Sequence, residues 1–383
     1  MKKKICFISA DPNFLGGVSL YTKNIIKILK EEKPLLEINW VYKGKKNKSF
    51  YKEGVNYHEL KIPKILFVEE IIFNKKVKKF LDKNYFDIIN SHALWGYWIK
   101  NYKRKKNQKI IQTYHGTTYY FYKNHLSRFN FLKRIPAYAS LIYGFFIEKP
   151  PIKKADKIIC VSNHVKEELR KLYDTKTNLF VLKTGVDLNQ FKIRPKKNIY
   201  HKLKLDKKHI YGLYVGRGGF WTKGLDRVVK VSKGIYESNK NYRLLIAGPD
   251  KEKIKHLLHE KFIIYIPILK RKEIPFYYNI SDILFCLARY EGGGPTLTTG
   301  EAMASGCLMV CSEDSRQEII KNNENGLIIK YNFKEEAKKI NQILENKEQK
   351  KKIIKKSKET IKKFSLEKWG KEYLEVLFDE KDR

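Results

Sequence analysis

The residues best suited to chemistry lie between Arg289 and Gly306, where the chain reads RYEGGGPTLTTGEAMASG. SDILFCLARY before it has the pattern of a short buried strand, and GEAMASG supplies small residues suited to a helix packed tightly on a sheet. Gly292, Gly293, Gly294, Pro295 and Thr296 therefore fall on a strand-to-helix turn. Backbone N–H groups at the positive end of a helix attract an anion, and residues without a Cβ let it approach the main chain. Two carboxylates, Glu291 and Glu301, flank this turn and are strong acceptors for hydroxyl groups. Phosphate beside hydroxyls describes a nucleoside diphosphate sugar. The plain alternative is an ordinary Gly-rich connection between strand and helix.

Other polar residues sit at comparable places. Gly16 and Gly17 open a helix after the first strand, KICFISA, and the connecting DPNFL, an approach point for phosphate or sugar in doubly wound folds, although G-x-G-x-x-G is missing. His92 and His115 end two later strands, the edge at which open α/β sheets bind ligands. For a lone histidine, structural hydrogen bonding is the commoner role. Gly216, Arg217 and Lys223 lie on a Gly-rich turn after IYGLYV, where two fixed cations suit an anionic ligand. Two surface bases in a lysine-rich chain is the competing explanation.

These residues need a scaffold, and the rest of the chain has the rhythm of one. At 383 residues it suits two α/β domains. Strand patterns at INWVYKG, FDIINSHA, KIIQTYHG and KKADKIICVS alternate with helical patterns. Ser162 stands where it would cap a helix. The basic stretch IRPKKNIYHKLKLDKKH marks a linker, giving domains over 1–193 and 194–362 and a terminal helix over 363–383. Strand and helix signals then resume at IYGLYV, YRLLIAGPD and FIIYI. The five cysteines have no metal-ligand spacing and sit in apolar runs, which predicts buried thiols in a reducing compartment. MKKKICFISA has no signal-peptide pattern, so a cytoplasmic chain is expected.

The net charge of +39 invites a nucleic-acid partner. The excess is uneven, with about 40 basic against about 16 acidic residues from Met1 to Pro195. IPAYASLIYGFFI, Ile135 to Ile147, is an uncharged apolar run bracketed by Lys133, Arg134, Lys149, Lys153 and Lys154. Too short to span a bilayer, it suits either an anionic membrane surface, on the inner face of the cell membrane, or a core helix of the first domain.

YEGGGPTLTTGEAMASGCLMV resembles the signature of the retaining GT-B glycosyltransferases of the group 1 type, in which a Glu-Gly-aromatic-Gly run precedes a Leu-Glu-Ala-Met-Ala helix start. That family's two glutamates stand eight positions apart, whereas Glu291 and Glu301 stand ten apart and the family's spacing lands on Gly293. Either Glu291 reaches the donor sugar through a longer loop, or that contact is absent. The resemblance implies a GT-B fold: two Rossmann-like doubly wound domains facing across a cleft, with FSLEKWGKEYLEVL as a final helix crossing back to the first domain and Trp369 as its packing anchor.

The implied function is hexosyl transfer, with retention, from a nucleotide diphosphate sugar to a saccharide or lipid-linked acceptor in cell-surface polysaccharide or glycolipid synthesis. It needs no cofactor, no metal ion and no nucleic acid. In the family's terms, His115 in its HGTT context holds the sugar, and Arg217 and Lys223 clamp the leaving diphosphate with one residue more between them than usual. Glu301 holds the ribose hydroxyls and Glu291 orients the sugar. Gly16, Gly17, Gly216, Gly293, Gly294, Pro295 and Thr296 bind the donor, Ile266 to Ile268 lie against the base, and Glu-Asn-Gly-Leu forms a hairpin. A sugar-nucleotide epimerase or phosphorylase of the same fold, a binding-only protein and a nucleic-acid-binding protein are the rival readings, the last without an RRM, KH or zinc motif to organise its aromatic residues.

Overall fold

KICFI at Lys4–Ile8 is the first strand, β1, and its last four residues are buried. Unbroken apolar runs of this kind suit parallel strands covered on both faces. The computed structural model describes residues 2–14, 16–65, 68–126, 131–216 and 220–378. It divides into one unit of Met1–Lys183 with Glu367–Arg383 and a second of Thr184–Leu366.

In the first unit β1 leads to α1 (Gly17–Glu32), β2 (Glu37–Gly44), β3 (Lys48–Lys52), β4 (Val55–Lys61), α2 (Glu69–Lys83) and β5 (Ile88–His92). A 3₁₀ stretch over Ala93–Asn101 precedes β6 (Lys109–Tyr114), α3 (Thr118–His125), α4 (Phe131–Lys154), β7 (Lys157–Cys160), α5 (Asn163–Tyr173) and β8 (Asn178–Val181). The sheet order is β3-β4-β2-β1-β5-β6-β7-β8, parallel except for β3 against β4. Ile25, Ile28 and Leu29 turn inward from α1 as their spacing predicts, and the Ser162 side chain caps α5 by accepting from Val165 N at 3.0 Å.

The β3–β4 hairpin escapes the sequence reading because most of its residues are polar and all but Val55 are at least partly exposed. Its signal is Glu53-Gly54, both at positive φ (49° and 77°), as a tight hairpin turn requires. Phe50 stacks on Tyr57 across the strands at 5.1 Å, and Lys48 and Lys52 line the sheet edge, where lysine discourages edge-to-edge pairing. The apolar run of α4 is two-sided: Ala137 and Ile147 are buried, whereas Ile135, Tyr138, Ile142 and Phe146 are each more than half exposed.

The second unit contains α6 (Lys196–Leu203), β9 (Ile210–Val215), α7 (Leu225–Ser238), β10 (Tyr242–Ala247), α8 (Lys251–Ile254), β11 (Ile263–Ile266), α9 (Ile274–Ile280) and β12 (Ile283–Cys286). It continues through α10 (Leu297–Ser305), β13 (Leu308–Ser312), β14 (Leu327–Ile329), α11 (Phe333–Glu345) and α12 (Lys347–Lys362). Its sheet is wholly parallel in the order β11-β10-β9-β12-β13-β14.

Three expectations are corrected here. The division falls at Lys183/Thr184, ten residues before the expected boundary, because Val186 exchanges backbone hydrogen bonds with Phe364 and Leu366 and Phe191 is buried in the second unit's core. The supposed linker is partly helical, as α6, with Ile199 buried in that core. Glu-Asn-Gly-Leu forms no hairpin: it turns the chain into β14, which pairs parallel to β13.

The last helix, α13 (Leu366–Leu377), starts three residues later than expected. All but its first residue belong to the first unit. Trp369 is 1% exposed with its ring edge-on to Tyr21 at 4.9 Å, and a Cβ on Gly370 would lie 2.4 Å from Ile28 Cδ1. Glycine there lets α13 approach α1 closely. The five cysteines are free thiols and all but Cys286 are buried.

Candidate active site

In each sheet the chain reverses its direction of winding at one pair of strands, β1 and β5 in the first unit and β9 and β12 in the second. Crevices outside the carboxyl ends of such strands are where open α/β sheets bind ligands. His92 ends β5, and the segments that follow the other three strands carry Gly16–Gly17, Gly216 with Lys223, and Glu291–Thr296.

In the second unit the loops after β9 and β12 are fastened together. Asp226, at the start of α7, accepts from Arg289 Nη1 at 2.8 Å and from Nη2 at 2.6 Å, and both residues are buried. Arg289 N donates to Thr222 O at 3.1 Å, and its guanidinium also bonds Trp221 O. Gly224 has φ +71°, and a Cβ there would sit 1.9 Å from Leu287 O, so any side chain would push the loops apart. Held this way, Lys223 Nζ donates to Glu291 Oε1 at 2.7 Å. Thus the lengthened turn still brings Glu291 to Lys223. Arg217 lies outside the described residues, while Gly216 directly follows β9 and donates its N–H to Ala247 O at 3.0 Å.

The glycine turn continues into α10. Gly293 has φ +84°, a conformation that favours glycine, and a Cβ on Gly294 would lie 2.6 Å from Gln317 Oε1. Pro295 is buried and Thr296 caps α10 by accepting from Thr299 N at 3.3 Å. Glu301, in the second turn of α10, is 2% exposed. Its Oε1 accepts from Arg271 Nη2 at 2.5 Å and its Oε2 from Tyr278 O–H at 3.2 Å. Burial raises its pKa, opposed by the charge and hydrogen bond of Arg271 and by Tyr278. Ile266 ends β11 with its side chain buried, while Ile268 beyond it is 56% exposed.

In the first unit Gly16 and Gly17 stand at the N-terminus of α1, which has no side-chain cap and no acidic residue in its first turn. His115 and His92 are partners rather than alternatives. Their rings stack at 5.2 Å, and His115 Nε2 lies 3.0 Å from His92 Nδ1. His92 Nε2 meets Asn90 Oδ1 at 3.1 Å, an oxygen that also accepts from Tyr373 O–H at 3.2 Å. An amide oxygen only accepts, so His92 carries its proton on Nε2 and His115 donates from its own Nε2. The Nδ1 lone pair of His115 is then directed elsewhere. Burial lowers the His115 pKa to about 4, so the ring is neutral at physiological pH.

Sequence reasoning missed the supports of these residues. Arg289 and Asp226 were visible only as members of motifs, and Arg271 as one base among many. Glu148 on α4 directly follows the apolar run and reads in sequence as its charged border. It is buried, its Oε1 accepts from Thr118 N at 3.0 Å and Thr118 Oγ1 at 2.7 Å, and its Oε2 accepts from Tyr173 O–H at 2.8 Å. Glu148 therefore ties down the turn that follows His115. Thr117 of the same turn donates to Glu168 at 2.9 Å. No group of three or more His, Cys, Asp or Glu among the described residues is arranged to hold a metal ion.

Two doubly wound units with ligand-competent switch points define a GT-B architecture. Residues 15–190 match the model described as Glycosyltransferase Family 4, and residues 195–360 match Glycosyl transferases group 1. The chain belongs to the group 1 glycosyltransferase family. It is 26% identical over 365 residues to an uncharacterized glycosyltransferase of Methanocaldococcus jannaschii, covering 93% of this chain and 92% of that one. Among solved structures, it superposes on sucrose-phosphate synthase of Thermosynechococcus elongatus with a TM-score of 0.80 at 16% identity, covering 98% of each chain. Anabaena HepE in complex with UDP-glucose aligns with a TM-score of 0.71 at 13% identity, over 98% of this chain and 99% of that one.

Burial raises the Glu148 pKa from 4.5 to about 7 despite the hydrogen bonds from Thr118 and Tyr173. The folded state therefore binds this proton more tightly than the unfolded state. The resulting stability is complete below about pH 4.5 and is lost as pH rises through about 7, a change on the order of 3 kcal/mol. Urea denaturation from about pH 5 to about pH 8 should show this loss in the native chain and a flatter profile in Glu148→Gln. Identical profiles would show that Glu148 does not titrate in this range.

Proposed function

We propose that this chain transfers a hexosyl group from a nucleotide diphosphate sugar to a saccharide or lipid-linked acceptor, with retention of configuration and without a divalent metal, in cell-surface polysaccharide or glycolipid synthesis. The observation that carries this reading is Lys223 held against Glu291 at the switch point of the second sheet, beside the Gly292–Thr296 turn and the helix bearing Glu301. The HepE complex supports a nucleotide sugar as donor.

Each residue then has a chemical task. Lys223 and Arg217, with the N–H groups at the start of α10, neutralise charge on the departing diphosphate, the work a metal ion would otherwise do. Gly216, Gly293, Gly294, Pro295 and Thr296 keep that approach open. Glu301 accepts from the ribose hydroxyls, and Ile266 to Ile268 lie beside the base. Glu291 orients the sugar; paired with Lys223 it is a weak nucleophile, which leaves the acceptor to attack from the leaving-group face rather than through a covalent glycosyl intermediate. His115, neutral and with its lone pair on Nδ1, accepts from a sugar hydroxyl, and Gly16–Gly17 leave room for the diphosphate.

The exposed stripe on α4, Ile135, Tyr138, Ile142 and Phe146, lies near Arg134, Lys149 and Lys153 in sequence. An apolar face bordered by cations suits the surface of an anionic bilayer, where a lipid-linked acceptor would reside. No helix among the described residues is long and apolar enough to cross a membrane.

Lys223→Ala and Glu301→Ala should each lower kcat/KM for glycosyl transfer by about a hundredfold or more, with native circular dichroism retained. Full activity in both would sink the site assignment. Replacing Ile142 and Phe146 by glutamate should abolish co-sedimentation with vesicles rich in phosphatidylglycerol while sparing transfer to a water-soluble acceptor. Undiminished co-sedimentation would remove α4 from the membrane.

A further inference from the structure

Glu301 is a buried carboxylate asked to remain an acceptor. Without a cationic partner such a group takes up a proton rather than bear the cost of an unpaired buried charge. A protonated carboxyl has lost part of its acceptor capacity, whereas a pair of vicinal hydroxyls needs two acceptors. Something must hold Glu301 ionised without consuming it.

Arg271 is placed to do so. It comes from the loop between β11 and α9, and its guanidinium lies over the Phe191 ring at 4.6 Å while donating to Glu301 Oε1 at 2.5 Å. Phe191 is itself buried and edge-on to Tyr278 at 5.9 Å, and Tyr278 donates to Glu301 Oε2. Asp187 acts on Arg271 electrostatically from the turn that carries Phe191. Three segments thus fix one guanidinium: the Gly185–Phe191 turn, the loop before α9, and α10. Each carboxylate oxygen has two lone pairs, so one hydrogen bond apiece from Arg271 and Tyr278 leaves acceptor capacity on both.

We propose that Arg271 is a positioning residue for the donor, acting through Glu301: it aims the carboxylate and keeps it charged so that its remaining lone pairs receive the ribose hydroxyls. This rests on the assignment of Glu301 to the ribose. Among the described residues the titratable groups that act on Glu301 are Arg271 and Tyr278, with Asp187 acting on Arg271 and Cys307 on Tyr278. Burial already raises the Glu301 pKa, and removing Arg271 deletes the main opposing influence. The carboxylate would then be lost at higher pH than in the native chain.

The test is titration calorimetry with UDP, GDP and ADP, alongside donor kinetics, on the native chain, Arg271→Ala, Arg271→Lys, Glu301→Gln and the Arg271→Ala/Glu301→Gln double variant. Arg271→Ala should weaken nucleotide binding about tenfold to a hundredfold at about pH 7, raising KM with little change in kcat. The deficit should shrink toward about pH 9, and Arg271→Lys should recover most of the affinity. In the Glu301→Gln background, Arg271→Ala should change affinity less than about twofold. That double variant leaves no unpaired buried carboxylate, so it remains readable if Arg271→Ala fails to fold.

Binding by Arg271→Ala as tight as native or tighter would overturn the proposal, because the arginine would then be a cover over Glu301 that the ligand must displace. A pH-independent deficit that persists in the Glu301→Gln background would also overturn it. Native affinity in Glu301→Gln would instead remove the ribose assignment itself, whereas weakened Glu301→Gln with unaffected Arg271→Ala would leave that assignment standing and sink the role of Arg271 alone.

Discussion

Arg289 against Asp226 is the contact on which the second unit's chemistry depends. Two loops leave the carboxyl ends of adjacent parallel strands, and a loop alone holds a charged side chain poorly. The paired hydrogen bonds between these buried groups remove that freedom, with Gly224 letting the two backbones touch. A buried ion pair of this kind need add little net stability, but breaking it leaves an unpaired charge inside. Its value is therefore geometric: Lys223 and Glu291 meet because Asp226 and Arg289 do.

The same logic recurs elsewhere, with a different chemical group each time. Arg271 and Tyr278 each donate one hydrogen bond to an oxygen of Glu301, Asn90 and His92 orient His115, and Glu148 anchors the turn after His115. In each case a residue suited to meeting a ligand is held by one that has no need to touch it. Such an arrangement keeps reactive groups preorganised, so that little reorganisation is needed when charge develops.

The fold was largely legible because parallel strands here are apolar runs and the helices between them carry periodic apolar faces, as β1 and α1 illustrate. What stayed hidden was hidden for definite reasons. The β3–β4 hairpin is polar and edge-placed, so only Glu53-Gly54 marked it. A proline and a run of lysines suggested a linker where Ile199, with Tyr200 and Leu203 packed beside it, in fact docks α6 on the second unit's core. Of the candidate site, the glycine turn, both glutamates, Lys223 and His115 stand out in sequence because their residue types and their places at strand ends and on or beside loops are chemically specific. Their supports could not, because Arg271, Arg289 and Glu148 look in sequence like any other charged residue, and only tertiary packing gives them partners.

The central claim is that the second unit's glycine turn, with Lys223 and Glu301, receives a nucleotide sugar without help from a metal ion. A thermal-shift panel of the purified chain with UDP, GDP, ADP and their hexose conjugates in EDTA tests it most directly, because a ligand that binds the native state raises the melting temperature by mass action. The account predicts that one nucleotide family stabilises the chain and that EDTA leaves the shift unchanged. No shift with any of them, alongside stabilisation by nucleic acid, would contradict it.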